Sequence, residues 1–349
     1  MTIQELMQTS FEKGASDLHI IAGSPPTLRI DGKLVALSEQ ELTADQTQEL
    51  ILQLISEQQK NKLWESRELD FSTELEGVGR FRANAYWQKK SLGIALRTIS
   101  DKIPTIDELR LPKICYQLSQ LRQGFVLVTG PTGHGKSSTL AAIIGEINRK
   151  RSEHIVTIED PIEFVYESDK SIISQREMGE DTLSWPGALK STLREDPDVV
   201  LVGEMRDPET MSAALTVAET GHLVFATLHT NSASQTVDRI VDSFPEEQQG
   251  QVKIQLAATL EAVVSQRLIP AIEGGRVPAA EILVGTPAVR NNIREGKTHQ
   301  LDSVIQTSAE MGMASLEASL AYWVKQNVVS LETARGFAMR PGDLDRLVR

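Results

Sequence analysis

The chain has 349 residues, 40% hydrophobic and 24% charged, an ordinary globular balance with room for two domains that each bury a core. No apolar run approaches the ~20 residues that cross a bilayer, and the start, MTIQELMQTSFEKGASD, lacks the basic and apolar regions of a signal peptide, so a cytoplasmic place is expected. The net charge of −12 argues against a nucleic-acid machine, which usually presents a basic patch, and the single cysteine, Cys115, excludes an internal disulfide and a cysteine-built zinc cluster.

Residues 1 to about 100 read as a small α+β domain. Ile3 to Lys13 is an amphipathic helix stopped by Gly14. Asp17 to Ala22 and Thr27 to Ile30 are strand-like, and Asp31-Gly32 is a hairpin signal leading into Lys33-Leu34-Val35. Thr43 with Gln46 and Ser56 with Gln59 are capping boxes that open two helices. Three strands are expected after them, over Leu69 to Leu75, Arg80 to Gln88 and Leu92 to Ile99, with turns at Gly77, Gly79 and Lys89-Lys90.

Pro104 and Pro112 mark a linker over residues 101–112, and from Gly124 the pattern changes. The runs FVLVTG, HIVTIED, VVLVGE, LVFATLH and AEILVG alternate with helical segments, as parallel strands buried on both faces do. Arg149-Lys150-Arg151 closes a helix, where it suits the dipole and reads as solvated surface. Cys115 reads as a small buried apolar residue. From Ala314 onward the chain is helical, with caps at Ser315 and Ser330 and a break at Pro341-Gly342.

The strongest chemical signal is Gly130-Pro131-Thr132-Gly133-His134-Gly135-Lys136-Ser137, which fits G-x-x-x-x-G-K-[ST] at every fixed position. It lies between an apolar strand and a helix, as that motif requires. Backbone N–H groups from Gly130 to Ser138 are expected to wrap phosphates at the helix N-terminus. Lys136 is expected at the β- and γ-phosphates, and the Ser137 hydroxyl on Mg2+. Glu204 ends the buried run Val199 to Val202, where a second metal-side carboxylate belongs; Gly203 stands where the commoner pattern has aspartate. The stretch Thr157 to Glu163 offers Glu159 and Glu163 as groups to activate the attacking water. His222 and His229 bracket a strand without metal-ligand spacing, leaving His229 either a γ-phosphate sensor or a structural residue.

In this order and at these separations, GPTGHGKSST, TIEDPIEF, DPDVVLVGEMRD and TGHLVFATLHTNSA resemble the secretion ATPases of the type II/type IV pilus group. That family names the last three the Asp box, Walker B and His box. GASDLHI with PPTLRIDGKL, and the later TPAVRNNIREGKTHQ, resemble its retraction (twitching-motility) branch. The resemblance spans nearly the whole chain. It implies an α/β fold: a PAS-like α+β domain over 1–100, the linker, and a RecA-like P-loop ATPase domain over 113–349 whose helical C-terminal segment begins at about 286. It further implies a homo-hexameric motor that hydrolyses ATP with Mg2+ and drives pilin disassembly. The motor would work at the cytoplasmic face of the inner membrane through a pilus platform protein, without direct nucleic-acid contact.

By the same resemblance Glu163 is the catalytic carboxylate, Glu204 the acid near Mg2+, and His222 and His229 the His-box pair. Arg80, Arg82 and Arg97 are the candidates for neutralising γ-phosphate charge. Two positions depart from the pattern. His134 stands where the family usually has serine, and Ala288 to Ile293 resembles the retraction segment AIRNLI but carries Asn292 in place of leucine. The competing readings are an auxiliary retraction ATPase, another type II/IV secretion-system ATPase and a RecA-like nucleic-acid translocase. A single cysteine counts against the assembly ATPases, which typically carry a four-cysteine zinc module.

Overall fold

A computed structural model describes residues 1–30, 32–99 and 102–349. Asp31 of the expected hairpin turn, and residues 100 and 101 at the expected domain boundary, lie outside the described residues. The chain forms two compact units, residues 1–102 with 163–165, and residues 103–162 with 166–349.

In the first unit, helix α1 (Ile3–Glu12) precedes strands β1 (Asp17–Ile21), β2 (Thr27–Ile30) and β3 (Lys33–Ala36). Helices α2 (Ala44–Leu52) and α3 (Glu57–Ser66) then lead to β4 (Glu68–Leu75), β5 (Gly79–Gln88) and β6 (Ser91–Ile99). The six strands form an antiparallel sheet in the order β3-β2-β1-β6-β5-β4. Both expected capping boxes are present, and Thr2 with Glu5 makes a third that opens α1. Alternation along β5 buries Phe81, Ala83 and Ala85 with Ile3, Leu6 and Ile20, while Arg80 and Arg82 take the other face.

The second unit contains, in chain order, α4 (Ile114–Leu118), β7 (Gly124–Thr129), α5 (Lys136–Lys150), β8 (His154–Glu159), β9 (Ile172–Glu177) and α6 (Trp185–Thr192). Next come β10 (Val199–Val202), α7 (Pro208–Glu219), β11 (Leu223–Leu228), α8 (Ala233–Asp242), α9 (Glu246–Thr259), β12 (Leu260–Pro270) and β13 (Arg276–Val284). Five helices finish it: α10 (Pro287–Arg294), α11 (Leu301–Thr307), α12 (Leu316–Lys325), α13 (Leu331–Phe337) and α14 (Pro341–Val348). The sheet order is β13-β12-β7-β11-β10-β8-β9, parallel except at β13. Every residue of β7, β10 and β11 is buried, because apolar clusters cover both faces of the sheet. Among the described residues no helix is long and apolar enough to cross a membrane.

Several local readings change. The AEILVG run is antiparallel, since a tight turn at Ala271 to Gly275 folds β13 straight back on β12. β12 itself escaped notice because α9 passes into it without a break, and β9 because its sequence, IISQRE, is largely polar. Pro341 does not interrupt a helix; it occupies the first turn of α14, where its missing N–H costs nothing. Arg151 is no solvated cation, for it donates to the carbonyls of Ser119 and Leu121 and pairs with Glu153. Ile106 and Leu111, within the stretch read as a linker, are buried in the second unit's core. Cys115 is fully buried as expected, and burial pushes its thiol up to about 12.

Arg290 is a clamp on the end of α9. Its guanidinium donates to the carbonyls of Ala257 and Ala258, to Gly285 O at 2.7 Å and to Glu261 Oε1 at 2.7 Å. These bonds close a helix end whose last carbonyls have no partner within the helix. Val289 and Ile293 are the buried residues of α10, and Asn292 is only half-buried, so no core position is lost there. Arg290→Lys keeps the charge but not the planar fork. It is expected to lower the second unit's unfolding free energy by roughly 2 kcal/mol, read from urea denaturation.

Candidate active site

Parallel pairing decides which loops meet. β7 pairs with β11 and β11 with β10, so the segments leaving these strands emerge together at one edge of the sheet. Those segments are the glycine-rich loop after Thr129, His229 after β11 and Glu204 after β10. A ligand of an open α/β sheet binds at this carboxyl edge.

Lys136 opens α5 and is 8% exposed. Its ammonium donates to Gly130 O at 2.9 Å and Pro131 O at 3.1 Å, and lies 3.3 Å from His229 Nδ1. The same His229 nitrogen lies 3.3 Å from the Thr132 hydroxyl, and its Nε2 lies 3.1 Å from Glu204 Oε1. Glu204 Oε2 completes the row with Arg206 Nη2 at 2.9 Å. Partial burial raises the Glu204 pKa, but the hydrogen bond and charge of Arg206, with His229, outweigh it and hold the carboxyl below its usual value. The result is a chain of alternating donors and acceptors, Lys136–His229–Glu204–Arg206, at the mouth of the phosphate loop.

Packing explains the glycine before Glu204. A Cβ on Gly203 would lie 3.2 Å from both Glu159 Cα and Ile158 O, and the Gly203 N–H donates to that carbonyl at 2.8 Å. The aspartate of the commoner pattern would need β8 to give way, which leaves Glu204 as the acid of this strand end. On β8, Glu159 accepts from its own strand's Thr157 hydroxyl at 2.6 Å and from Gln175 at 3.3 Å.

Other expected residues do not join this cluster within the second unit. His222 precedes β11, at the opposite end of the strand from His229, roughly 20 Å away at a rise of about 3.3 Å per residue. There it contacts Val217 O at 3.0 Å and the Thr220 hydroxyl at 3.1 Å. Arg80, Arg82 and Arg97 belong to the first unit, where Arg82 and Arg97 are cross-strand partners and Arg97 Nε donates to Asp17 at 3.0 Å. Glu163 is exposed and falls in the short segment that groups with the first unit.

Sequence reasoning missed Gln266 and Leu268 of β12, which hold His134 from the side. Gln266 Nε2 donates to His134 O at 2.8 Å, and the Leu268 N–H donates to His134 Nδ1 at 3.0 Å. No spacing signal links residues more than a hundred positions apart.

No group of three or more His, Cys, Asp or Glu able to hold a metal occurs among the described residues. A nucleotide-borne Mg2+ needs fewer, because phosphates and water supply most of its oxygens. The hard oxygen donors present, the Ser137 hydroxyl and the ionised Glu204 carboxylate, suit that ion.

His229 links the lysine to the acid and lies outside the glycine-rich loop. His229→Ala is therefore expected to lower ATP hydrolysis at least about tenfold while leaving ADP binding within about threefold. Phosphate release and titration with fluorescent ADP measure the two.

The profile of the type II/IV secretion system protein family matches residues 1–274. The type IV pilus retraction ATPase PilT of Pseudomonas aeruginosa is 49% identical over 98% of this chain and 99% of its own length. The type IV pilus ATPase PilU of the same organism is 40% identical over 100% of this chain and 92% of its own. A crystal structure of the pilus retraction motor PilT with bound ADP superposes with a TM-score of 0.93 at 48% identity, covering 99% of each chain. The chain belongs to the type II/IV secretion system protein family.

Proposed function

We propose that this protein is the ATP-hydrolysing motor of type IV pilus retraction, the activity behind twitching motility. The observation that carries the reading is the likeness to the Pseudomonas aeruginosa retraction ATPase, 49% identical along 98% of the chain. The lower identity of 40% to PilU favours the principal over the auxiliary role. The protein works as a homo-hexameric ring at the cytoplasmic face of the inner membrane, delivering force to a pilus platform protein without touching nucleic acid.

In this reading Gly130 to Ser138 cradle the phosphates of ATP and Lys136 neutralises β/γ charge. Ser137 and Glu204 would hold Mg2+, which would offset the charge of the phosphate oxygens. Glu163 takes the proton of the attacking water, and His229 connects the γ-phosphate end of the site with Glu204. Arg80 and Arg97 supply cations for the transferred phosphoryl group, and His222 acts with His229 as the second member of the His-box pair. Residues 1–100 form the PAS-like part; the segment 101–112, read from the sequence as a linker, contributes Ile106 and Leu111 to the core of the ATPase part, which runs on to 349.

Lys136→Ala is expected to abolish hydrolysis and weaken ATP binding at least about tenfold, because a cation at the phosphates is gone. Isothermal titration and phosphate release check both, and undiminished turnover would overturn the phosphate-loop reading.

Glu163→Gln is expected to bind ATP normally yet lose turnover by about a hundredfold or more, since an amide of the same volume cannot accept the proton. In a retraction-deficient strain the wild-type chain should restore pilus retraction and Glu163→Gln should not. Normal hydrolysis by Glu163→Gln, with loss in Glu159→Gln, would move the base to Glu159.

A further inference from the structure

β12 runs on past the strand it pairs with. The last residues paired between β12 and β7 are Ser265 and Thr129, so Gln266 to Pro270 continue beside the glycine-rich loop. The approach is close: a Cβ on Gly130 would lie 2.2 Å from Gln266 O. The side chain of Gln266, 2% exposed, bridges the two parts of the phosphate site. Its Nε2 donates to the His134 carbonyl at 2.8 Å, and its Oε1 accepts from the Thr139 hydroxyl in the first turn of α5 at 2.8 Å. Beside it the Leu268 N–H donates to the His134 ring at 3.0 Å. Burial, with the charges of Arg267, Arg276 and Lys136, lowers the His134 pKa, which keeps Nδ1 available as an acceptor.

Only an amide meets both demands at this place. The carbonyl needs a donor and, a few ångströms away, the hydroxyl needs an acceptor; glutamate lacks the first and lysine the second. A buried group left without its partner has no water to replace it, so each bond is costly to lose. The loop between Gly130 and Gly135 contains three glycines and has many conformations open to it, of which phosphate fits few. Apparent affinity falls in proportion to the fraction of molecules whose loop is ready to bind.

We propose that Gln266 is a positioning residue for the nucleotide. By spanning the His134 carbonyl and the Thr139 hydroxyl, it holds the phosphate loop in its binding shape before ATP or ADP arrives. The proposal rests on the reading of Gly130 to Ser137 as the phosphate site, and adds that β12, outside the motif, sets the affinity of that site.

Gln266→Met preserves length and burial but neither bond. In the full chain, fluorescent ADP should bind about tenfold more weakly, as it would if one loop in ten were ready. Hydrogen exchange of residues 131–136 should speed up in the nucleotide-free variant and return to the wild-type rate at saturating ADP. The KM for ATP should rise in step while kcat changes much less, and the melting temperature without nucleotide should stay near that of the wild type. Thr139→Val, which removes one of the two bonds, should shift affinity and exchange the same way by about threefold, and it decides the matter if Gln266→Met does not fold. ADP affinity within twofold of wild type, or a fall in melting temperature with loop exchange unchanged, would overturn the proposal. Lys136→Ala separates the two layers. If it binds ADP as tightly as wild type, the phosphate-site reading fails and the clamp with it; if it binds weakly while Gln266→Met binds fully, only the clamp fails.

Discussion

The side-by-side pairing of β7, β11 and β10 is the constraint on which the chemistry of the second unit depends. Phe225 lies opposite Val126 on one side and Leu201 on the other, in a ladder whose residues are all buried. A slip of one residue along any of these strands would turn apolar side chains from one covered face to the other. Register is therefore tightly specified by packing, and with it the heights at which the phosphate loop, His229 and Glu204 leave the sheet. Apolar residues buried in the sheet thus decide where the polar ones stand.

At that edge the polar groups satisfy one another without a ligand. A lysine ammonium that is 8% exposed would be unstable alone, and it has two carbonyls and a histidine nitrogen for company. The histidine in turn reaches a carboxylate that an arginine holds ionised. An anion reaching Lys136 would exchange protein acceptors for its own oxygens rather than meet a bare cation. Electrostatic stabilisation of this type is effective because its groups are already oriented.

The β12–β13 hairpin joins this edge to the C-terminal helices. On one side Gln266 and Leu268 hold the phosphate loop. On the other, Ile269, Val277 and Ala279 pack with Leu316, Leu320 and Leu344, while Trp323 Nε1 donates to Pro278 O at 2.7 Å and Arg267 to Phe337 O at 2.7 Å. One hairpin therefore contacts both the glycine-rich loop and the helical segment, a continuous path of packed groups between them.

By itself the sequence determined the elements whose signals are local: the capping boxes at Thr43 and Ser56, the buried strand runs, and the glycine-rich loop between β7 and α5. It also carried, through ordered motifs, the family to which the chain belongs. Tertiary structure alone decided the rest, because those features join residues far apart along the chain. A side chain at Gly203 would press on β8, and Glu204 meets His229 only because β10 is laid beside β11. The AEILVG run is antiparallel because of the turn before it, and Arg290 clamps the end of α9. Gln266 reaches the glycine-rich loop only when β12 is laid beside β7, since a side chain's partners follow from which strands pair, and pairing depends on the packing of the whole sheet.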